Sequence, residues 1–250
     1  MAGILIGNRA TEAEVRAIPV PPRTRSYNPI AYGDVIDMVE TTAGQYDMSI
    51  LDRGFALGKD GGQLFAVWQV EGSDAVGDAR IVRSIGMRQS YNKTLALGGV
   101  AGATVMVCSN LDFSGSDFRQ VRKNTTNVWD DFRSIVERAC ADVEGAYARS
   151  VALRGSLEVR EISDRKAYAL LGIAQGEGVL KPQQITEAFR QWSRPAHEEF
   201  APRNAWSFYN AMTEAAKRGP AGGYLGRGLA VNAFARRAFG APAVLALPDA

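Results

Sequence analysis

The chain has 250 residues, 46% of them hydrophobic and 22% charged, a globular composition that excludes disorder, collagen and coiled coil. No apolar run approaches the roughly 18 residues that span a bilayer, and the opening MAGILIG lacks the basic start and the length of a secretory leader. One histidine, His197, excludes His-rich metal sites, and two cysteines, Cys108 and Cys140, fit a reducing compartment; a soluble cytoplasmic protein without membrane contact is expected.

In chain order, Thr11 and Glu14 form a capping-box pattern ahead of Val15 and Ile18, which predicts a short helix. The stretch Ile18 to Ile30 carries four prolines and reads as an extended arm, either docking on a partner subunit or lying along its own domain. Tyr32, Val35, Ile36 and Val39 then follow helical spacing and end near Gly44. From Tyr46 the period becomes strand-like. DMSILDRGFALG, the turn KDGG and QLFAVWQV make a hairpin; ARIVRSIGM is a third strand, GATVMVCS a buried fourth and FRQVRK a fifth at an edge.

After Asn124 the pattern turns helical again. A long amphipathic helix carries Val128, Phe132, Ile135, Val136, Ala139 and Val143 on one stripe. Helices are predicted near Ser163 to Ala174, Pro182 to Trp192, Asn204 to Arg218 and Arg227 to Phe239, with Gly219-Pro220 as a stop. Strands first and helices afterwards give an α+β fold, an antiparallel sheet with a long packed helix followed by a helical C-terminal part. The break QGEGVLKP reads either as a linker between a β-rich core and a helical part or as a plain loop; taken as a linker, it gives an N-terminal helix and proline-rich arm over 1–30, an α+β core over 31–175 and a helical region over 176–250.

Several chemistries are missing. The glycines of LALGGVAGATV precede strand-like residues, whereas a dinucleotide loop needs strand, glycines and then helix; no GxxxxGK[ST] occurs, so no nucleotide cofactor is expected. Adjacent carboxylates at Asp130-Asp131 and Glu198-Glu199 diverge by about 100° on a helix and do not converge on one ion. His197 in RPAHEEF has no nominated nucleophile and reads as a loop histidine. Cys108 and Cys140 lie in apolar periodic segments and read as buried and unpaired.

Charge is the remaining signal. The net charge is only +2, yet Arg80 to Thr125 holds seven basic residues against Asp112 and Asp117, and Ala201 to Gly240 holds six against Glu214. Such segregation fits either a polyanion-binding face or charges that intermix on folding. The third strand places Arg80 and Arg88 on one face and Arg83 on the other, and leads into Tyr91 and Lys93. Arg119, Arg122 and Lys123 stand just ahead of a helix N-terminus, and Trp129 follows. Basic side chains beside an aromatic are what a single-stranded nucleic acid requires; the competing reading is arginines guarding an edge strand against aggregation.

Four stretches together carry a family resemblance: PVPPRTRSYNPIAYGDVID, GGQLFAVWQV, IGMRQSYNKTLALGGVAGATVMVCSNLDFSG and RKNTTNVW. With the later AWSFYNAMTEAAK, they make the chain resemble the DUF932 family of phage- and plasmid-type proteins from about Pro19 to Lys217. The family pattern has Asn-Ser-His-Asp where this chain has Gln89, Ser90, Tyr91 and Asn92, and Lys-His-Thr where it has Lys123, Asn124 and Thr125. Chemistry that depends on those histidines and that acid is lost here, which favours binding. The resemblance implies a mobile-element context and DNA handling such as strand annealing.

The resulting expectation is a non-enzymatic, oligomeric protein that binds single-stranded DNA. Arg80, Arg83, Arg88, Lys93, Arg119, Arg122 and Lys123 hold the phosphates, and Tyr91 or Trp129 offers a stacking surface. Arg88, Lys93, Arg119, Arg122 and Lys123 should share one positive surface, and the homo-oligomer should depend on apolar helices after Gly219. The alternatives are an interaction protein that assembles through its arm and C-terminal helices without nucleic acid, and an enzyme centred on His197 or Cys108.

Overall fold

The computed structural model of the protein describes residues 9–71, 81–105, 110–112, 127–219 and 223–240. Their elements run β1 (Arg9–Ala10), α1 (Glu12–Ala17), α2 (Tyr32–Gln45), β2 (Ile50–Gly58), β3 (Gln63–Val70), β4 (Ile81–Ser90), β5 (Gly98–Val105), β6 (Asn110–Asp112), α3 (Val128–Glu158), α4 (Asp164–Gly176), α5 (Pro182–Ser193), α6 (Ala205–Ala216) and α7 (Tyr224–Phe239). The fold is α+β, with every sheet neighbour antiparallel in the meander order β1-β2-β3-β4-β5-β6.

Local chemistry sets the boundaries. At α1 the expected capping box forms: Thr11 Oγ1 accepts from the Glu14 amide at 3.2 Å, and Glu14 Oε2 accepts from the Thr11 amide at 2.7 Å. Helix α2 ends where Asp47 takes a left-handed φ of 56° and the Met48 amide bonds back to Ala43 O at 3.0 Å. That turn consumes the first residues of DMSILDRGFALG, so β2 starts only at Ile50. Pro182 occupies the first turn of α5, where its missing N–H costs nothing. Asn204 caps α6 by accepting from the Ser207 amide at 2.9 Å.

The glycine-rich stretch lies inside a strand. β5 begins at Gly98, four residues before the expected start, because α3 crosses this part of the sheet at close range: a Cβ on Gly99 would meet Met87 Sδ at 2.4 Å and Ile135 Cγ2 at 2.8 Å. β6 was not foreseen; the expected edge strand FRQVRK and Cys108 lie outside the described residues.

Two apolar clusters fill the molecule. Helix α2 and the first half of α3 cover one face of the sheet, packing Val35, Ile36, Val39, Phe132, Ile135 and Val136 against Phe55, Trp68, Ile85 and Met87. The second half of α3, from Tyr147, joins α4 to α7 in a helical cluster around Trp192, Phe208, Met212 and Phe234. The clusters therefore change over within α3, ahead of the 175/176 boundary, and QGEGVLKP joins two helices, α4 and α5, of one cluster. Every residue of α6 except Glu214 is buried, and Val231, Phe234, Ala235 and Ala238 of α7 are buried with it. The apolar stripes expected to drive self-association are thus taken up inside the chain. Cys140 is fully buried, and burial pushes its thiol up to about 12.

The proline arm lies along its own domain. Tyr27 and Ile30 are buried; the Tyr27 hydroxyl donates to Tyr91 O at 3.2 Å, and Gln89 Nε2 donates to Ile30 O at 2.5 Å. Between its prolines the arm folds into a short turn, closed by the Thr24 amide on Tyr27 O at 2.9 Å.

Candidate nucleic-acid interface

Strand alternation places Arg83 on the face under α3, as the sequence implied. There it is only 7% exposed. Its guanidinium reaches Glu144 at 2.7 Å and lies 4.2 Å from the centre of the Tyr147 ring. Both partners stand on α3, so Arg83 ties helix to sheet and does not face a phosphate track.

Tyr91 is buried as well. Its ring stacks on Tyr32 at 3.9 Å with 3° between planes, and its hydroxyl accepts from the Tyr32 amide at 2.9 Å. The amide is one of the donors that a helix start leaves without an intrahelical acceptor, so the phenol acts as a cap for α2. Burial pushes that phenol up to about 12. A ring enclosed on these terms offers no face to a base. Where the family pattern has histidine, this chain has built a structural clamp.

Arg88 points to the other face of the sheet, is half-buried, and is pushed down to about 10 by burial, so it stays protonated at neutral pH. Trp129 is 39% exposed and contacts Phe132 edge to face at 6.4 Å. It borders a cavity of about 420 Å³ between α2 and α3 with Asp34, Asp37, Glu137 and Arg133. Three carboxylates stand against Arg133 and against Arg16, which pairs with Asp37, so the surface keeps a net negative charge that disfavours phosphate. Arg80, Arg119, Arg122 and Lys123 of the expected set lie outside the described residues.

Lys93 is exposed, in the turn after β4, where its own φ is +60°; its ammonium lies 4.4 Å from the Tyr27 ring centre. That contact brings the arm turn alongside, with Arg23 and Arg25 both exposed on it. The β2–β3 turn completes the same end: the Tyr91 and Asn92 amides bond Gly62 O at 3.0 and 3.3 Å, and Tyr32 donates its hydroxyl to Gly61 O at 3.0 Å. Lys59 and Asp60 there have φ of 49° and 55° and are exposed. A Cβ on Gly61 would meet Ile18 Cδ1 at 2.7 Å, so the start of the arm rests on this turn.

One end of the sheet therefore gathers Arg23, Arg25, Lys59 and Lys93, with Asp60 among them, on three tight turns locked by Tyr27, Tyr32 and Tyr91. Only Lys93 belonged to the expected set. Arg23 and Arg25 were legible as an Arg-Thr-Arg flanked by prolines, a sequence that must lie on the surface; Lys59 sat in a turn that was recognised for its glycines alone.

His197 is half-buried, with its ring edge on Phe200 at 6.0 Å. It borders a cavity of about 10 Å³ with Ser207, Asn210 and Glu214, room for about one water. Ser207 Oγ is buried there and makes no hydrogen bond to the imidazole.

Among the described residues no helix is long and apolar enough to cross a membrane, and no group of His, Cys, Asp or Glu is placed to hold a metal. No curated protein and no solved structure shows a significant match to the chain. The sequence model of the family described as a domain of unknown function, DUF932, matches residues 22–237. That span takes in the arm turn, both sheet turns and the helical cluster, and the chain belongs to the DUF932 family.

Proposed function

We propose that the protein binds single-stranded DNA through the basic end of its sheet, by electrostatic attraction and without covalent chemistry of its own. The observation that carries this reading is the gathering of Arg23, Arg25, Lys59 and Lys93 on turns pinned by buried tyrosines. Cations held on a fixed frame lose little freedom when they meet phosphates, and each neutralised phosphate releases a counterion. The acidic groove beside Trp129 borders this end at Asp34 and confines a polyanion to the basic side. Strand annealing in a mobile-element setting is the role that family resemblance attaches to such binding.

The test is titration of labelled single- and double-stranded oligonucleotides at several salt concentrations. Binding of the single strand should weaken linearly in log–log form with added salt. Replacing Arg23, Arg25, Lys59 and Lys93 together by Gln should lower the slope by about 3 and leave the fold intact. A wild-type protein that binds neither strand at low salt sinks the proposal, as does a quadruple variant with the wild-type slope.

A further inference from the structure

The basic end of the sheet holds available cations beside covered rings. Just outside it, arginines are taken up by acids: Arg16 pairs with Asp37 at 2.6 Å and Arg53 with Glu40 at 2.7 Å. On the turns themselves Arg23, Arg25, Lys59 and Lys93 are exposed, and no described carboxylate pairs with them. Four cations against Asp60 keep this end positive.

The turns that carry the two lysines lean on each other. A Cβ on Gly62 would meet Asn92 Nδ2 at 2.8 Å and Lys59 O at 3.0 Å. Asn92 Oδ1 accepts from the Thr94 hydroxyl at 2.5 Å and from the Thr94 amide at 3.2 Å, and Thr94 Oγ1 accepts from Gln63 Nε2 at 2.7 Å. The left-handed backbone at Lys59, Asp60 and Lys93 is thus held from both strands, and it has little order left to lose on binding.

The aromatic faces of this end already have occupants. Tyr27 is 6% exposed with the Lys93 ammonium over its ring, and Tyr32 and Tyr91 cover each other. The exposed Tyr46 follows the far end of α2, about 20 Å from Tyr32.

We infer that this end recognises a chain of phosphates and draws no affinity from bases or sugars. The ligand class is a flexible linear phosphodiester or polyphosphate, which includes single-stranded DNA, single-stranded RNA and inorganic polyphosphate. The inference rests on the single-strand reading above and states which atoms of the strand it uses. Stacking needs an open ring, and the rings here are closed. Arginine can also stack on a base, but lysine acts as a point charge, and half of these cations are lysines.

The test titrates full-length wild type with oligo-dT, oligo-rU and an abasic DNA strand of equal length, and then adds inorganic polyphosphate as competitor. The three strands should bind within about fivefold of one another, because one stacked base alone is worth about fivefold or more. Polyphosphate should displace all three. Arg23→Gln/Arg25→Gln should weaken every strand alike, by about tenfold or more near 0.1 M salt. Arg23→Lys/Arg25→Lys should stay close to wild type, since only charge is used. Both variants should melt with wild type, as these side chains hold nothing in the fold. An abasic strand bound more than fivefold below oligo-dT reveals a base contact, and the same gap between oligo-dT and oligo-rU reveals a sugar contact. Either result overturns the inference and leaves the DNA reading standing. A lysine variant as weak as the glutamine variant, or polyphosphate that displaces nothing, has the same consequence. If wild type binds no strand at low salt, both readings fall together.

Discussion

Strand β4 carries a basic residue near its start, Arg83, and another just beyond its end, Lys93, and the two have opposite fates. Arg83 is buried under α3 between Glu144 and Tyr147. Lys93 sits on an exposed left-handed turn above Tyr27, among other cations. Residue type and sequence neighbourhood are nearly the same for both. What separates them is the long helix: α3 runs over the sheet with Glu144 and Tyr147 one turn apart and supplies a complete partner set for one arginine, and the turn end keeps its charges in solvent. A basic stretch in one dimension is thus a mixture of internal ties and available charge, and only packing sorts them.

The largest effect should come from the clamp that fixes the turn end. Tyr91→Ala removes a buried ring stacked on Tyr32 and leaves the Tyr32 amide without its acceptor. We expect a loss of about 4 kcal/mol in urea unfolding, whereas Tyr91→Phe keeps the stack and should lose about 1.5 kcal/mol. Equal losses for the two variants would mean that the hydroxyl, and not the stacked ring, fixes this end.

Next comes the other end of β4. Arg83→Gln removes a charge-assisted bond and a cation–π contact from a site with little water, and should cost about 2 kcal/mol. Glu144 is 44% exposed along its side chain and can rehydrate, which keeps the figure below that for a fully buried pair. DNA affinity should be unchanged. A variant that folds as stably as wild type but binds DNA more weakly would reverse the assignment of the two ends.

A third effect is alkaline. The Tyr91 phenol and the Cys140 thiol are both pushed up to about 12 by burial, and Tyr32 is raised in the same direction. For groups raised on folding, the native state holds protons more tightly than the unfolded chain. Their contribution is complete below the unfolded values, near 9 for the thiol and 10 for the phenols, and is lost as pH rises toward the folded ones. Stability should therefore fall between about pH 9 and pH 12. Tyr91→Phe should flatten the part above pH 10, and unfolding midpoints measured across this range decide it.

Much of the fold was legible because it is written locally. The Thr11–Glu14 box, the KDGG turn between β2 and β3, Pro182 at the start of α5 and the stripe of α3 each depend on neighbours within a few residues. The inward and outward sides of β4 also followed from alternation. The site was far less legible. Tyr91 beside Lys93 has the appearance of a stacking platform in sequence, and nothing local reveals that Tyr32, from a helix far earlier in the chain, closes over it. The grouping of Arg23 and Arg25 with Lys93 likewise exists only because the proline arm folds back to place Tyr27 under that lysine. The C-terminal helices show the same limit: their stripes were read correctly, and their partner turned out to be the chain's own helical cluster.

The smallest effect belongs to Trp129 and separates the two aromatic candidates of the basic stretch. Of the four tryptophans, Trp68, Trp192 and Trp206 are at most 6% exposed, so solvent-sensitive emission reports Trp129. Its groove holds Asp34, Asp37 and Glu137 against Arg133, and Asp37 is held well below the usual carboxylate range by Arg16 at 2.6 Å, so this acid stays charged at neutral pH. A polyanion approaching the groove meets net negative charge, and the exposed indole makes only an edge contact with Phe132. Trp129→Ala should therefore change stability by no more than about 0.5 kcal/mol and leave DNA affinity within twofold of wild type. Iodide, an anion, should quench the emission less than neutral acrylamide does, and saturating oligonucleotide should leave the spectrum unshifted. A DNA-dependent shift would put the strand in the acidic groove and overturn the division of charge between the two faces beside α2.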